Sequence, residues 1–302
     1  MVLLRHLFFL IMKHELPIYS IDKFDNINSN NEGDFYANFL NIHVKKNDFT
    51  NFPHKHDFYL VILFTNGNGY HEIDFEKYKL EKGTIFVLKP GQMHYWELSD
   101  DIEGYIFFHS KEFFEKNYIS LGITDFYNSF QGTPCFKLEN NNFKFIRFLM
   151  HEIVNEYSKN NFLKWRKIHS QIVLIYIEIS RLKSPLEKFK NQTYLTKLKM
   201  FEDLIELNFK TEKFVKEYAF KLNITEKHLN RITKSCIGKT STQLISERII
   251  LEAKRMLIYS KLNVKQISEE LGYYDNSYFV RFFKKNVGMT PLNFSAKYKV
   301  IN

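Results

Sequence analysis

The chain of 302 residues is long enough for two domains, each with its own hydrophobic core. Its 44% hydrophobic and 25% charged residues are ordinary for a soluble protein, and its two cysteines, Cys135 and Cys236, have neither metal-ligand nor redox spacing. The net charge of +9 is uneven, because residues 186–302 carry 22 Lys and Arg against 12 Asp and Glu, whereas residues 1–185 carry 21 against 22. Such a basic segment is either a solvated surface or a surface that contacts phosphate.

The N-terminus is apolar but too short to span a membrane. Its uninterrupted apolar run, Leu7 to Met12, has six residues, whereas a transmembrane helix needs about 20. No small-residue cleavage site follows the run. We therefore expect residues 1–16 to be an N-terminal extension, with Met1 or Met12 as the first residue, and we expect no membrane partner.

Residues 17–137 have the pattern of an antiparallel β-domain. Apolar runs of four to eight residues alternate with turn signals, as where Phe58–Phe64 is followed by Asn66-Gly67-Asn68-Gly69. Another run, from Gly83 to Leu88, leads into Pro90-Gly91. Short strands without intervening helices favour a sandwich or a barrel.

From Asn140 onward the apolar period becomes helical. The second predicted helix has a seam with the spacing of two heptads, formed by Ile168, Ile172, Ile175, Ile179 and Leu182. This seam either pairs two chains or docks the helix onto the β-domain, since neighbouring apolar residues widen the stripe. Ser184-Pro185 then ends the helix. We expect residues 138–185 to form a helical dimerisation and relay segment, followed by a linker at 186–194.

Residues 195–302 contain two copies of one helical pattern, fifty residues apart. Arg231 and Arg281 occupy equivalent positions, each followed after three residues by Lys and after seven by Gly. Each copy follows a shorter helical pattern and a tight turn, which is the helix-turn-helix layout. Thr240–Gln243 predicts a capping box at the start of a long helix that ends near Tyr259. Two such units in one chain predict a reader of neighbouring major grooves.

The stretch from Ile267 to Pro291 resembles the signature of the AraC/XylS family of bacterial transcription regulators. The resemblance extends from Leu195 to Tyr298, with Ser268 and Tyr273 where Ala and Phe are usual. It implies an α+β chain with an N-terminal antiparallel cupin-like β-barrel, two following helices, and an all-α domain of two helix-turn-helix units joined by a long helix. It also implies recognition helices one DNA turn apart, about 34 Å, in a cytoplasmic bacterial protein that is not an enzyme.

By position, the resemblance assigns a set of residues to DNA. Those expected at base edges are Lys227, Asn230, Arg231, Asn276, Ser277, Tyr278, Val280 and Arg281. Arg can pair with guanine, Asn with adenine, and Val can touch a thymine methyl group. Arg281 has a scaffold role as its alternative. The residues expected at phosphates are Lys234, Lys284 and Lys285, and those expected in the core are Phe279, Phe282 and Phe283.

The N-terminal region resembles the cupin-type sensor domain of this family, through His54-Lys55-His56, Gly83, Pro90-Gly91 and His94. Cupin enzymes hold a metal with histidines and a glutamate, but Leu60 and Val61 stand where the acidic ligand is expected. We therefore predict a metal-free site, without any other cofactor, for a small organic effector. Its residues are His54, His56, His94, Trp96 and Tyr105. The alternatives are a three-histidine metal site and, for the two aromatic residues, plain core.

Together these features predict a sequence-specific DNA-binding transcription regulator that responds to a small-molecule effector. Its expected partners are double-stranded DNA, the effector, a second copy of the chain and RNA polymerase. Two other classes stay open. One is a metal-dependent cupin enzyme with an appended DNA-binding domain. The other is an architectural DNA-binding protein without a ligand, which a β-domain filled by its own side chains would favour.

Overall fold

The computed structural model describes residues 16–24, 34–47, 52–113, 133–183 and 192–299. The chain divides into two compact units, one of Pro17–Glu187 and one that contains Lys188–Asn302. Most of the predicted extension at 1–16 and most of the predicted linker at 186–194 lie outside the described residues. Among the helices described, none combines membrane-spanning length with sufficient hydropathy.

The first unit contains the strands of the chain and three helices. The strands are β1 (Ile18–Tyr19), β2 (Phe35–Phe39), β3 (Lys55–His56), β4 (Tyr59–Asn66), β5 (Gly69–Ile73), β6 (Glu76–Leu80), β7 (Thr84–Leu88), β8 (His94–Leu98), β9 (Glu103–His109) and β10 (Cys135–Lys137). The helices are α1 (Leu40–Lys46), α2 (Asn140–Tyr157) and α3 (Lys164–Lys183). A short 3-10 turn, Ile21–Lys23, follows β1.

The longer strands form two antiparallel sheets that face each other. The five-stranded sheet has the order β10-β7-β4-β9-β2, and the three-stranded sheet has the order β6-β5-β8. The predicted antiparallel β-domain and the α+β class are confirmed. In the described residues the strands hydrogen-bond as separate sheets rather than as one closed ladder, with a short parallel pair of β1 and β3 beside them.

The central strand β4 is buried on both faces. Leu60, Ile62 and Phe64 enter the core between the two sheets, together with Trp96 of β8. The side chains that alternate with them, Val61 and Leu63, enter a second core beneath the helices. This is the period-2 geometry of a strand, and it explains why β4 is a continuous apolar run rather than an alternating one.

The isoleucine seam of α3 lies in the second core. Ile168, Ile172, Ile175 and Ile179 are each 0% exposed and pack in one cluster with β-sheet residues and α2. A side chain buried in this way is not available to a second chain. The docking interpretation of the seam is therefore the one that the structure supports, and the seam gives no evidence for a dimer.

The second unit is all helical. Its helices are α4 (Gln192–Asn208), α5 (Val215–Lys221), α6 (Glu226–Ile237), α7 (Ser241–Tyr259), α8 (Val264–Glu270), α9 (Asn276–Val287) and α10 (Pro291–Lys299). The long helix α7 contacts α4, α5 and α6, which precede it, and α8, α9 and α10, which follow it. It therefore joins two small helical groups, as predicted.

Local hydrogen bonds explain where these helices begin and end. The Thr240 hydroxyl accepts from the Gln243 N–H at 3.1 Å, while the Gln243 amide oxygen accepts from the Thr240 N–H at 2.7 Å, so the predicted capping box is present. Both α6 and α9 end at a glycine with positive φ, 72° at Gly238 and 82° at Gly288. Glycine adopts this conformation without the strain that a Cβ atom would cause.

Candidate functional site

Five buried histidines lie together on the inner side of the first unit. His54 forms an isolated β-bridge just before β3, His56 ends β3, His71 lies in β5, and His94 begins β8. His43, on α1, is the fifth. Their exposed fractions are 0% for four of them and 4% for His56. The backbones of His54 and His94 hydrogen-bond to each other, so the strands themselves bring the rings together.

Short polar contacts orient four of these rings. The His54 Nδ1 donates to the Phe52 carbonyl at 2.6 Å, which leaves the lone pair of this ring on Nε2. Nε2 of His54 is buried and has no hydrogen-bond partner among the described residues. The His94 ring lies between two others, with Nδ1 2.8 Å from His71 Nε2 and Nε2 3.2 Å from His56 Nε2.

Burial keeps these histidines neutral. Removal from water disfavours the imidazolium form, and it lowers the pKa of His54 to about 4 and that of His71 to about 3. The same cause, followed by repulsion from neighbouring histidines, holds the pKa values of His56 and His94 well below the ordinary value. Each ring therefore keeps one unprotonated nitrogen near neutral pH.

The arrangement fits two kinds of ligand. Nitrogen atoms of His54, His56 and His94 lie within 4.8 Å of one another, which is compatible with a shared metal ion. In the described part of the chain no carboxylate joins this group. The rings also offer hydrogen bonds to an organic ligand. Such a ligand would have to displace side chains, because Phe24, Phe58 and Phe108 pack around His56 at ring-centroid distances of 4.4 to 6.1 Å.

Trp96 and Tyr105, both predicted at the effector, lie on different sides of the sheet. Trp96 is 2% exposed and contacts the rings of His71 and His94 at centroid distances of 5.7 and 5.6 Å. Tyr105 belongs to the core beneath the helices, with its ring 5.9 Å from His151 of α2. The reason is that successive side chains of β9 alternate between the two faces of the sheet. Ile106 enters the core between the sheets, on the side of the histidines, and Tyr105 enters the core beneath the helices. Tyr105 therefore does not border the histidine cluster.

His71 and His43 were not predicted from the sequence. His71 precedes Ile73 by two residues on a strand, and Ile73 is an inward residue, so the period-2 pattern could have identified it. His43 had no such signal, because it belongs to a helix of seven residues between strands. Its Nδ1 lies 3.0 Å from the Tyr36 hydroxyl.

The second unit presents α6 with one buried and one basic face. Leu229, Ile232 and Thr233 are buried. Lys227, Arg231 and Lys234 are exposed and follow one another at spacings of four and three, which aligns them on one side of the helix. The Arg231 guanidinium lies 5.8 Å from the Tyr194 ring centroid. The exposed face of α6 therefore carries three cations in a row.

Asn230 is engaged within the protein. Its side-chain oxygen accepts from the Ser241 N–H at 3.0 Å, at the first residue of α7. An adenine read by Asn through two hydrogen bonds needs both the amide oxygen and the amide nitrogen. While the contact with Ser241 is kept, a helix-supporting role fits Asn230 better than the predicted base contact.

Helix α9 has the same design as α6. Phe279 and Phe283 are buried, as predicted, while Phe282 is half-buried. The exposed residues of α9 from the predicted set are Ser277, Tyr278, Arg281, Lys284 and Lys285, and Asn276 and Val280 are half-buried. The Arg281 guanidinium lies 3.8 Å from the carboxylate of Asp275, and both side chains are mostly exposed. Such an exposed pair is weak, so it leaves Arg281 accessible to a ligand.

One residue at this surface was missed. Tyr274 has a relative exposure of 108% in the turn before α9, and Tyr278 is 53% exposed one turn of helix further on. The sequence did not distinguish it from Tyr273, the neighbouring aromatic residue of the same turn, which is buried. Aromatic side chains that are fully exposed are informative about binding surfaces.

Comparison with known proteins gives matches over both units. The family described as an AraC-like ligand binding domain matches residues 38–141. The family described as a helix-turn-helix domain matches residues 218–297. The first match contains the histidine cluster, and the second contains α6 and α9.

Similar proteins match along most of the chain. The HTH-type transcriptional activator RhaR of Escherichia coli K12 is 23% identical over 243 residues, which covers 79% of this chain and 84% of RhaR. The uncharacterised HTH-type transcriptional regulator YfiF of Bacillus subtilis is 25% identical and covers 84% of this chain and 81% of YfiF. Among solved structures, ToxT from Vibrio cholerae is 15% identical, covers 87% of this chain and 98% of ToxT, and has a TM-score of 0.42.

Proposed function

The chain belongs to the AraC/XylS family of bacterial transcription regulators, and we propose that it binds a specific duplex DNA site through the exposed faces of α6 and α9. It is a DNA-binding transcription regulator with an N-terminal ligand-binding domain. The proposed part is that these two helix faces, and particular residues on them, contact the DNA. The enzyme and the architectural alternatives have no support in the relatives, which are regulators of transcription.

The observation that carries the proposal is the repetition of one exposed basic face on two helices. Arg231 and Arg281 occupy equivalent positions on α6 and α9, and each helix buries the opposite face in its own core. Both helices lie in the part of the chain that holds the whole basic excess. Attraction to phosphate would supply affinity, and contacts of the arginines with base edges would supply specificity.

The experiment that tests this proposal is selection of bound duplexes from a random library by the full chain. Wild-type protein is expected to enrich one sequence family with two half-sites about one helical turn apart. The double variant Arg231→Ala/Arg281→Ala is expected to lose the enrichment. Its matched control is Lys45→Ala/Lys46→Ala, because these exposed residues of α1 carry the same charge but lie in the other unit. Equal enrichment by both double variants would refute the assignment of α6 and α9.

We further propose that an effector binds at His54, His56, His94 and Trp96. The support is their common position on the inner side of the β-domain and the match of this region to a ligand-binding family. Effector binding changes DNA affinity only if the effector binds two states of the protein unequally. Duplex binding measured at increasing effector concentration, with wild type and Trp96→Leu, tests this step.

The remaining partners are also proposals. A homodimer remains a proposal that the buried seam of α3 does not support. Sedimentation velocity with and without DNA would measure the oligomeric state. RNA polymerase is the expected further partner, and the bacterial cytoplasm is the expected location, because a regulator acts where its DNA and the transcription machinery are.

A further inference from the structure

We propose that His54, His56 and His94 bind one divalent transition-metal ion through their Nε2 atoms, with a fourth position left open for water or for an anionic group of the effector. This inference rests on the proposed sensor function of the β-domain and names the ligand chemistry of that site. It replaces the metal-free expectation drawn from the sequence.

The first support is the hydrogen-bond state of the rings. Because His54 Nδ1 donates to the Phe52 carbonyl, the lone pair of this ring is on Nε2. This Nε2 is buried, and no donor among the described residues forms a hydrogen bond with it. Histidine ligands of metals are usually held in this way, with the other ring nitrogen donating to a carbonyl or a second polar group. His94 Nδ1 lies 2.8 Å from His71 Nε2, and a proton on this Nδ1 leaves the lone pair of His94 on Nε2; the proton of His71 is then on its Nδ1, which is buried without a partner among the described residues.

The second support is distance. Two nitrogen ligands of a tetrahedral ion with metal–nitrogen bonds of 2.0–2.1 Å lie roughly 3.3 Å apart. His56 Nε2 and His94 Nε2 are 3.2 Å apart. No pair among the ligand atoms of the three histidines exceeds 4.8 Å, so the widest pair must close by at most roughly 1.5 Å. Rotation of an imidazole about its side-chain bonds supplies a movement of this size.

The third support is the size of the ligand that this interior admits. Tyr19 packs on the His54 ring at a centroid distance of 5.1 Å, and Phe58 stacks on the His56 ring at 4.4 Å. Since protein interiors are close-packed, a large organic molecule must displace several such rings. A single ion bound between nitrogen atoms that lie within 4.8 Å of one another needs far less room.

The donor set determines the class of ion. Three neutral imidazoles suit Zn²⁺, Co²⁺, Ni²⁺, Cu²⁺ and Fe²⁺, whereas Ca²⁺ and Mg²⁺ require oxygen ligands. Within the described residues no carboxylate completes the group, so the two positive charges of the ion stay uncompensated by the protein. Buried charge without a partner is costly. An anionic fourth ligand, such as hydroxide or a carboxylate, would reduce this cost.

The test is a titration of the full chain with Co²⁺ after treatment with a chelator, followed by visible absorption. Wild type is expected to bind one equivalent and to show the intense bands of four-coordinate Co²⁺, and added acetate is expected to shift these bands. His54→Asn and His94→Asn are the ligand variants, because the amide of Asn replaces the Nδ1 side of the ring and removes Nε2. The matched control is His151→Asn, an exposed histidine of α2 outside the cluster.

The expected result is loss of the one-equivalent binding in both ligand variants and its retention in the control. Unchanged Co²⁺ binding by His54→Asn, or no saturable binding by wild type that still binds its DNA site, would overturn the metal site. Bands insensitive to acetate would overturn the open position. If circular dichroism shows that a ligand variant is unfolded, X-ray absorption of Zn²⁺-loaded wild type decides, since fewer than three imidazole ligands would refute the site. Loss of DNA binding by wild type would instead contradict the proposed function.

Discussion

Arg231 is the exposed cation of α6 best suited to read a base. It lies in the middle of the exposed face, between Lys227 and Lys234, and its planar guanidinium can form two hydrogen bonds with guanine. Arg231→Ala is expected to weaken binding to the selected duplex by about 1–3 kcal/mol and to relax discrimination at one base pair. Fluorescence anisotropy with single-base variants of the duplex measures both effects. An equal loss of affinity for every duplex would argue for a phosphate contact instead.

Lys284 is expected to behave differently. It is exposed in the last turn of α9, beyond the first turns that hold Ser277 and Tyr278. Lys284→Ala should weaken binding to all sequences alike and reduce the slope of log affinity against log salt by about one. Titrations at four salt concentrations with specific and random duplexes test this. A sequence-dependent loss would assign Lys284 to a base edge.

We expect His109 to make the stability of the first unit depend on pH. Burial lowers its pKa to about 4, its Nδ1 donates to the Ser110 carbonyl, and its Nε2 lies 2.5 Å from the Tyr176 hydroxyl. The unfolded chain binds the proton with a pKa of about 6.5. Between these two pKa values the unfolded state binds more protons than the folded state. The stability that the neutral His109 ring contributes is therefore present above pH 6.5 and declines as the pH falls toward about 4.

The variant His109→Gln isolates this effect. Over that pH interval the free energy of unfolding of wild type should fall more steeply than that of the variant, by up to about 1.4 kcal/mol per pH unit. Urea unfolding at several pH values gives the two slopes. The other buried histidines contribute to both proteins and cancel in the difference. Parallel slopes would show that His109 is not buried as a neutral ring.

At the scale of elements, Gly272 lies where the turn after α8 packs closely against the backbone that follows α4. It has φ of 76°, and a Cβ atom added there would lie 1.9 Å from the carbonyl oxygen of Lys210, just beyond α4. Gly288 has a similar φ of 82° with no atom within 4 Å of such a Cβ. The two glycines thus share the backbone requirement but differ in their surroundings.

This pair makes a matched comparison. Gly288→Ala is expected to destabilise the unit by about 1–2 kcal/mol, from the left-handed backbone alone. Gly272→Ala is expected to cost more, because the backbone of Lys210 must also move. Thermal unfolding of both variants measures the difference. Equal losses would mean that the approach of Lys210 to Gly272 does not contribute to stability.

The elements also show what the sequence could predict. The capping box at Thr240 and the glycine ends of α6 and α9 were predictable, since each depends on hydrogen bonds and φ values within a few residues. The side of the sheet on which Tyr105 lies was not. Strand β9 is buried on both faces, so its apolar run contains no alternation that distinguishes the histidine side from the helix side.

For the same physical reason, the α3 seam was ambiguous. A heptad spacing describes which residues share one face of a helix, but not whether that face packs on a sheet or on another chain. The candidate metal ligands show a further limit. His54-Lys55-His56 and His94 were visible as a pattern, and strand alternation could have placed His71 on the inward face, but the contact of His71 with His94 depends on the pairing of β5 with β8. Pairing between strands is a tertiary contact.

At the scale of the whole molecule, the two units differ in charge, and DNA binding should follow the helical one. A fragment of residues 186–302, which contains the basic excess, is expected to keep a preference for the selected site over random duplex. Its affinity should fall steeply with salt, because bound phosphates release their counterions. Competition assays at low and moderate salt measure this. A fragment without any site preference at low salt would show that the first unit is needed for recognition.

The double burial of β4 restricts how this protein can change during evolution. Substitution of Ile62 alters the packing between the two sheets, and substitution of its neighbour Val61 alters the packing of the sheet on α2 and α3. A change of volume on one side moves the strand and must be accommodated on the other, because protein interiors are close-packed. Divergent members of the family should therefore acquire new ligands mainly through the strand ends and the three-stranded sheet, while β4 changes slowly and together with its partners on both faces.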